Sequence, residues 1–281
     1  MLIDICTEAC ERIFNTATNG LGVKTTYRPI IAMKNEFVYS TLLTTSNKKS
    51  YAGMFTAKLG KKLQHPKLDM KGLQISKSNS PKILRNKFQN LLVNKILMPK
   101  KVNLIDILNE YQTIENTISK SLHDGKLEYG SPTNVAAIAS YDIPERQIGV
   151  RGTLVWNELE PNHSIQTPER VKIIKLNCTD ENDPRLLQLK INDKKKYDAI
   201  IKTVFKNDGT NGTMNMRHFG FTAVALPQDL EKIPDYLIQF IDYDEMINKN
   251  LKNANILLKC LSIMCVTDTN KLEHVSSVCL L

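Results

Sequence analysis

No stretch of this 281-residue chain stays apolar for the roughly 18 residues that a membrane helix needs. Its first residues, Met1 to Cys6, carry Asp4 and lack the basic-then-apolar pattern of a secretory signal, so a cytoplasmic protein with no membrane role is expected. Six cysteines occur without a single Cys-x-x-Cys pair, which argues against zinc and iron–sulfur sites and reads as reduced thiols. Cys6 and Cys10 fall one helical turn apart on an apolar face, where buried thiols are expected. There is no Gly-x-x-x-x-Gly-Lys phosphate loop and no Gly-x-Ser-x-Gly elbow. The histidines, at 65, 123, 163, 218 and 274, are scattered and suggest no catalytic pairing.

Acid is what one region lacks most. From Asn47 to Lys101 there are fourteen basic residues and one acid, Asp69. The chain's net charge is +9; this stretch holds +13, so the remaining 226 residues sum to −4. Ordinary solvated faces mix both signs, and a one-sided surplus of this kind marks a polyanion-binding surface. Tyr51, Phe55, Leu63, Leu68, Leu84 and Phe88 run through the same stretch, so the charge sits on folded structure and not on a tail. A rigid array of lysines suits the regular phosphates of a duplex.

Periodicity gives an α+β chain. Ile5, Ala9, Ile13 and Ala17 predict a helix over 3–18, ended by Asn19-Gly20. Two β-prone runs, 36–45 and 50–57, flank Ser46-Asn47-Lys48 and predict a hairpin; Leu59-Gly60-Lys61 is the next turn. Ser80-Pro81 predicts a helix start, with Ser80 as cap, and Leu84, Phe88, Leu91 and Leu92 share one face up to Met98-Pro99. A second helix starts near Asn103, its stripe running from Leu104 through Ile107, Tyr111, Ile114 and Ile118 to Leu122, and it ends at Asp124-Gly125. Residues 126–170 read as irregular apart from an apolar run at Leu154–Trp156. Short strands are expected at 171–176 and 219–226, a helix at 194–206, a loop at 208–217 and a last helix at 243–265, with a polar, frayed tail.

Three segments carry a resemblance. Lys48-Lys49-Ser50-Tyr51, then Pro66-Lys67-Leu68-Asp69-Met70-Lys71-Gly72-Leu73, then Lys77-Ser78-Asn79-Ser80-Pro81 follow in order. They resemble the Lys-Lys-x-Tyr hairpin that ends the palm of family B DNA polymerases, the Pro-Lys-Leu-x-x-x-Gly-Leu segment after it, and the Ser/Thr-Pro that opens the thumb. Further on, Val150-Arg-Gly-Thr-Leu-Val-Trp-Asn157 is similar to the Ile-Arg-Gly-x-Leu-x-Tyr-Asn of T-even-like phage replicative polymerases. Ala136–Asp142, Arg170–Leu176, Ala223–Pro227 and Phe240–Tyr243 resemble thumb segments of the same group. The resemblance covers roughly 30–265, and 185–215 looks like an insertion.

The resemblance implies a palm hairpin segment over 1–75 and a mostly helical thumb with a few short strands over 76–281. It implies contact with primer–template duplex DNA through Lys48, Lys49 and Tyr51 at the hairpin, and through Lys67, Lys71, Lys77 and Lys82 where palm becomes thumb. Asn134 and Arg151 would touch the duplex farther back. The family's carboxylate motifs, Asp-x-x-Ser-Leu-Tyr-Pro-Ser and Asp-Thr-Asp-Ser, are absent from these 281 residues, as are its nucleotide-binding helix and exonuclease acids. Asp268-Thr269-Asn270 imitates the second motif but follows the thumb and lacks the second carboxylate. The chain is therefore expected to hold no cofactor and to be inactive alone. Mg2+ would be bound by a separate catalytic chain carrying exonuclease, palm and fingers, through a split gene or a truncation. The alternatives are a stand-alone, non-enzymatic duplex-DNA-binding accessory protein and an unrelated basic scaffold or membrane-surface protein.

Overall fold

The computed structural model describes residues 2–22, 24, 36–45, 48–73, 75, 78–210, 214–261, 263–266 and 271–274. The chain divides into two compact units, Met1–Leu73 with Ile96–Lys100, and Gln74–Lys95 with Lys101–Leu281. Both mix helices with antiparallel sheet, so the α+β expectation holds.

The first unit opens with helix α1 (Leu2–Gly20) and continues into a three-stranded sheet of β1 (Phe37–Thr44), β2 (Tyr51–Lys58) and β3 (Lys61–Lys71) in sequential order. The hairpin expected from 36–57 forms as β1–β2, with Thr44 opposite Tyr51 and Leu42 opposite Gly53. The turn at Leu59–Gly60 gives both residues positive φ, 49° and 77°, the pairing that a tight two-residue hairpin requires. Strand β3 did not show in the sequence pattern: five of its eleven residues are charged and it carries Pro66, which an exposed sheet edge tolerates because no inward ladder bond is lost. Ile13, Leu21 and Leu42 are exposed. Cys10 is half-exposed, not buried as expected.

The second unit begins with α2 (Lys82–Leu91), which buries Leu84, Phe88 and Leu91 as their spacing predicts. Its cap position falls on Pro81, one residue after the expected Ser80. Helix α3 (Leu104–His123) is capped by the Asn103 side chain, which accepts from Ile105 N at 3.1 Å, and buries Ile107, Tyr111, Ile114, Ile118 and Leu122. Strands β4 (Ser131–Val135), β5 (Glu169–Cys178) and β6 (Phe221–Pro227) form the second sheet, again in sequential order.

The region expected to be irregular holds helix α4 (Ile148–Leu159). Gly149 and Gly152 hid it, because glycine disfavours helices in isolation. Here Gly152 is what lets the helix approach the sheet: a Cβ on it would lie 2.6 Å from Ala225 N and 2.9 Å from Val224 C. Helices α5 (Pro184–Asn192) and α6 (Lys194–Ile200) occupy the 185–215 segment. Lys196 joins α6 to the end of α4, donating to Leu159 O and to Glu160 Oε1, while the Tyr236 hydroxyl donates to the same Glu160 oxygen at 2.9 Å. After the one-turn helix α7 (Asp235–Ile238), the last helix, α8 (Tyr243–Cys260), stops earlier than expected. Residues expected at its end and in a frayed tail instead pair as β7 (Ile263–Val266) and β8 (Lys271–His274).

Candidate nucleic-acid interface

The first two of the three resembling segments meet in the first sheet. Lys48 and Lys49 are exposed in the β1–β2 turn, with Lys49 held at φ 59°. Tyr51 opens β2 and lies opposite Lys71; Gly53 lies opposite Asp69, and Phe55 opposite Lys67. Because side chains alternate along a strand, Lys67, Asp69 and Lys71 share one face with Tyr51 and Phe55. Gly72, at φ 72°, closes the junction: a Cβ there would lie 2.7 Å from Lys49 O and 2.9 Å from Ser50 Cα. The glycine of the Pro-Lys-Leu-x-x-x-Gly-Leu segment is thus needed where β3 passes the backbone of the Lys-Lys-x-Tyr turn.

The basic residues of this sheet are exposed at both ends, Lys48, Lys49 and Lys71 beside the junction and Lys58, Lys61 and Lys62 at the far Leu59–Gly60 turn. Lys67, between them on β3, is exposed as well. Among the described residues, the ion pairs lie elsewhere in the chain, at Arg12, Lys126, Lys175, Arg185, Lys196 and Lys202. Lys58 lies over the Phe37 ring, 5.4 Å from its centroid. A patch of ammonium groups without carboxylate partners has lost no charge to internal pairing, which is the state suited to phosphate contacts.

Tyr51 stands differently. Its hydroxyl donates to Asp69 Oδ2 at 3.0 Å, and the Tyr39 hydroxyl donates to the same oxygen at 2.5 Å. The two rings meet edge to face, 6.2 Å apart at 80°. Tyr39 reaches from β1 across β2 because Gly53 leaves the space free; a Cβ on Gly53 would lie 2.6 Å from its ring. Desolvation and the hydrogen bond to Asp69 push the Tyr39 phenol far above its ordinary range, so it stays protonated. The sequence singled out Asp69 only as a lone acid and gave no sign of Tyr39 or Gly53, since 30 residues separate Tyr39 from its partner.

The second unit holds the remaining candidates. Lys82 is exposed at the first position of α2. Asn134 is exposed on β4, opposite Arg170 of β5. Arg170, which was not singled out from the sequence, donates from Nη2 to Ser78 O at 2.6 Å, and so ties the segment leading into α2 to the β4–β5 pair. Its Nε is buried without a partner among the described residues. Lys77 lies outside the described residues.

Arg151, expected to touch the duplex farther back, makes internal contacts. Its Nη1 donates to Glu145 O at 2.6 Å, its guanidinium stacks 4.0 Å above the Phe219 ring, and burial lowers its pKa. Its neighbours do similar work. Trp156 Nε1 donates to His163 O, and Asn157 exchanges two hydrogen bonds with the backbone of Ile165. The Arg-Gly-x-Leu-x-Trp-Asn segment fastens α4 to its surroundings.

Among the described residues no group of three or more His, Cys, Asp or Glu side chains is placed to hold a metal ion. Asp69 accepts from two phenols, and Asp268-Thr269-Asn270 lies outside the described residues. Among the described residues, the acidic side chains do not fit a two-metal site. No helix among the described residues is long and apolar enough to cross a membrane.

Fold and surface together define an α+β protein with one sheet bearing an unneutralised cationic face. The family model for divergent family B DNA polymerases matches residues 2–274, and the chain belongs to that family. The matched range runs through 185–215, the stretch expected to be an insertion. A search of curated proteins returned no match.

Proposed function

We propose that this chain is the palm-end and thumb portion of a family B DNA polymerase and that it grips primer–template duplex during replication. The observation that carries this reading is the union, in one sheet, of the Lys-Lys-x-Tyr turn and the Pro-Lys-Leu-x-x-x-Gly-Leu strand, locked at Gly72 and bordered by exposed Lys48, Lys49 and Lys71. Membership in the divergent family B polymerases supports it.

In this reading Lys49 donates to minor-groove acceptors or sugar–phosphate oxygens near the primer end. Acceptors at purine N3 and pyrimidine O2 occur in every base pair, so the contact is independent of sequence but sensitive to mispairing. Lys48, Lys67 and Lys71 neutralise backbone phosphates beside it, and the second unit supplies Lys77, Lys82 and Asn134 as further duplex contacts. The catalytic carboxylates and their Mg2+ ions belong to sequence outside these 281 residues, on a separate chain resembling the exonuclease–palm–fingers part of T-even-like phage polymerases.

Primer extension tests this directly. The chain alone, with magnesium and four nucleotides, extends nothing; supplied with the catalytic chain, it co-purifies with it and raises the length of product made per binding event. Extension by the chain alone overturns the division of labour. Failure to bind duplex overturns the grip. Duplex binding with no effect on any polymerase chain favours the accessory-protein reading instead.

A further inference from the structure

We propose that Asp69 is a positioning residue that clamps the Lys48–Lys49 turn against β3, a role that rests on reading that turn as the duplex-gripping element. Asp69 is the only acid among fourteen basic residues, and it stands on the same sheet face as Lys67 and Lys71. As a charge alone it works against a polyanion. Its geometry gives it another use. One carboxylate oxygen takes the hydroxyl protons of Tyr51 and Tyr39, from the first residue of β2 and from β1 respectively. All three strands of the sheet are thereby pinned at one point, directly above the gap left by Gly53.

Two consequences follow. A phenol has a single proton to donate. With that proton on Asp69, the Tyr51 oxygen turns only lone pairs outward, and lone pairs repel phosphate. Tyr51 therefore acts on DNA through the turn it anchors and not through a hydrogen bond of its own. Second, β3 holds the turn twice: Asp69 fixes the ring of Tyr51, and Gly72 packs on the backbone of Lys49 and Ser50. Lys49 sits at positive φ between these two holds, so its backbone cannot relax while both persist.

The test is binding of the full chain to a fluorescein-labelled primer–template duplex, read by anisotropy, with Asp69→Ala, Asp69→Asn, Tyr51→Phe and the double variant Asp69→Ala/Tyr51→Phe. Positioning predicts that Asp69→Ala weakens binding about tenfold although it raises the net charge by one. Asp69→Asn keeps an acceptor in place and loses less than about threefold. The double variant is no weaker than Asp69→Ala, because Tyr51 has no separate contact to lose. Alkaline absorbance titration gives an independent readout. In Asp69→Ala the Tyr39 phenol stays raised by burial but titrates lower than in wild type, having lost the hydrogen bond and charge of Asp69, whereas general unfolding would release Tyr129 and Tyr236 as well.

Binding by Asp69→Ala as tight as wild type or tighter, with a steeper salt dependence, shows a mere opposing charge and overturns the proposal. Additive losses in the double variant overturn the indirect role of Tyr51. A wild-type chain that binds no duplex sinks the function proposed above, and this inference falls with it. If Asp69→Ala does not fold, Asp69→Asn and Tyr39→Phe carry the same comparison, and wild-type affinity in Tyr39→Phe then counts against the clamp.

Discussion

The two three-stranded sheets have the same sequential antiparallel order and nearly opposite burial. In the second, β6 buries five of its seven residues, and Val171, Ile173 and Ile174 of β5 are fully buried. In the first, β3 has no buried residue, and only Ala52, Gly53 and Met54 of β2 are fully covered. The second sheet is held by apolar packing at about 25 cal/mol per Å2 of buried surface. The first is held by ladder bonds, aromatic edges and a shared carboxylate, and it leaves its lysines to solvent. One topology thus serves a core in one unit and a charged surface in the other, and the pattern of side chains decides which.

The sharpest way to break this contrast is to truncate one large apolar side chain in each sheet. Phe221 is fully buried and meets Phe240 edge to face at 5.4 Å. Phe221→Ala should cost about 3–5 kcal/mol in urea unfolding. Leu42→Ala, at an exposed position of the first sheet, should cost under about 0.5 kcal/mol. Comparable losses would erase the distinction.

The next effect comes from overpacking. Gly152→Ala pushes a methyl group into the β6 backbone and should cost about 1–3 kcal/mol, without altering the affinity for duplex. Equilibrium unfolding and anisotropy on the same preparation separate the two quantities.

Lys49→Ala should do the reverse: unfolding changes by less than about 0.5 kcal/mol, while duplex binding weakens by about 1–3 kcal/mol, the range for a charge-assisted hydrogen bond. In the reconstituted enzyme the nucleotide constant should change less than the DNA constant. A raised nucleotide constant with untouched DNA binding would remove Lys49 from the interface.

The smallest effect is at Leu59, a non-glycine residue at φ 49° in an exposed turn. Leu59→Asn should stabilise the first unit by about 0.5–1 kcal/mol, because asparagine tolerates the left-handed region. Hydrogen-exchange protection of β2 and β3 amides would rise; unchanged protection would show that the turn carries no strain.

Much of this was legible from the residues. Helices α2 and α3 follow their apolar spacing, and the β1–β2 hairpin follows its β-prone runs. What escaped was structure made by context. Strand β3 is too charged to signal burial because it has none, and Pro66 argues against a strand until the strand is known to lie at an edge. Helix α4 contains two glycines whose use emerges only beside a sheet. The exposed lysines were legible as a charge imbalance. The Tyr39–Asp69–Tyr51 clamp was not, since hydrogen bonds between distant residues leave no periodic trace. The internal contacts of Arg151 were equally invisible.

The most direct measurement is the salt dependence of duplex binding. If about six phosphates are neutralised, log K falls with log salt at a slope near −5, from roughly −0.9 per contact. Replacing Lys48, Lys67 and Lys71 together by Glu should flatten that slope by about 3 and leave urea unfolding nearly unchanged. A slope near zero in the wild-type chain, or one unmoved by the triple replacement, would contradict the assignment of this sheet as the surface that holds DNA.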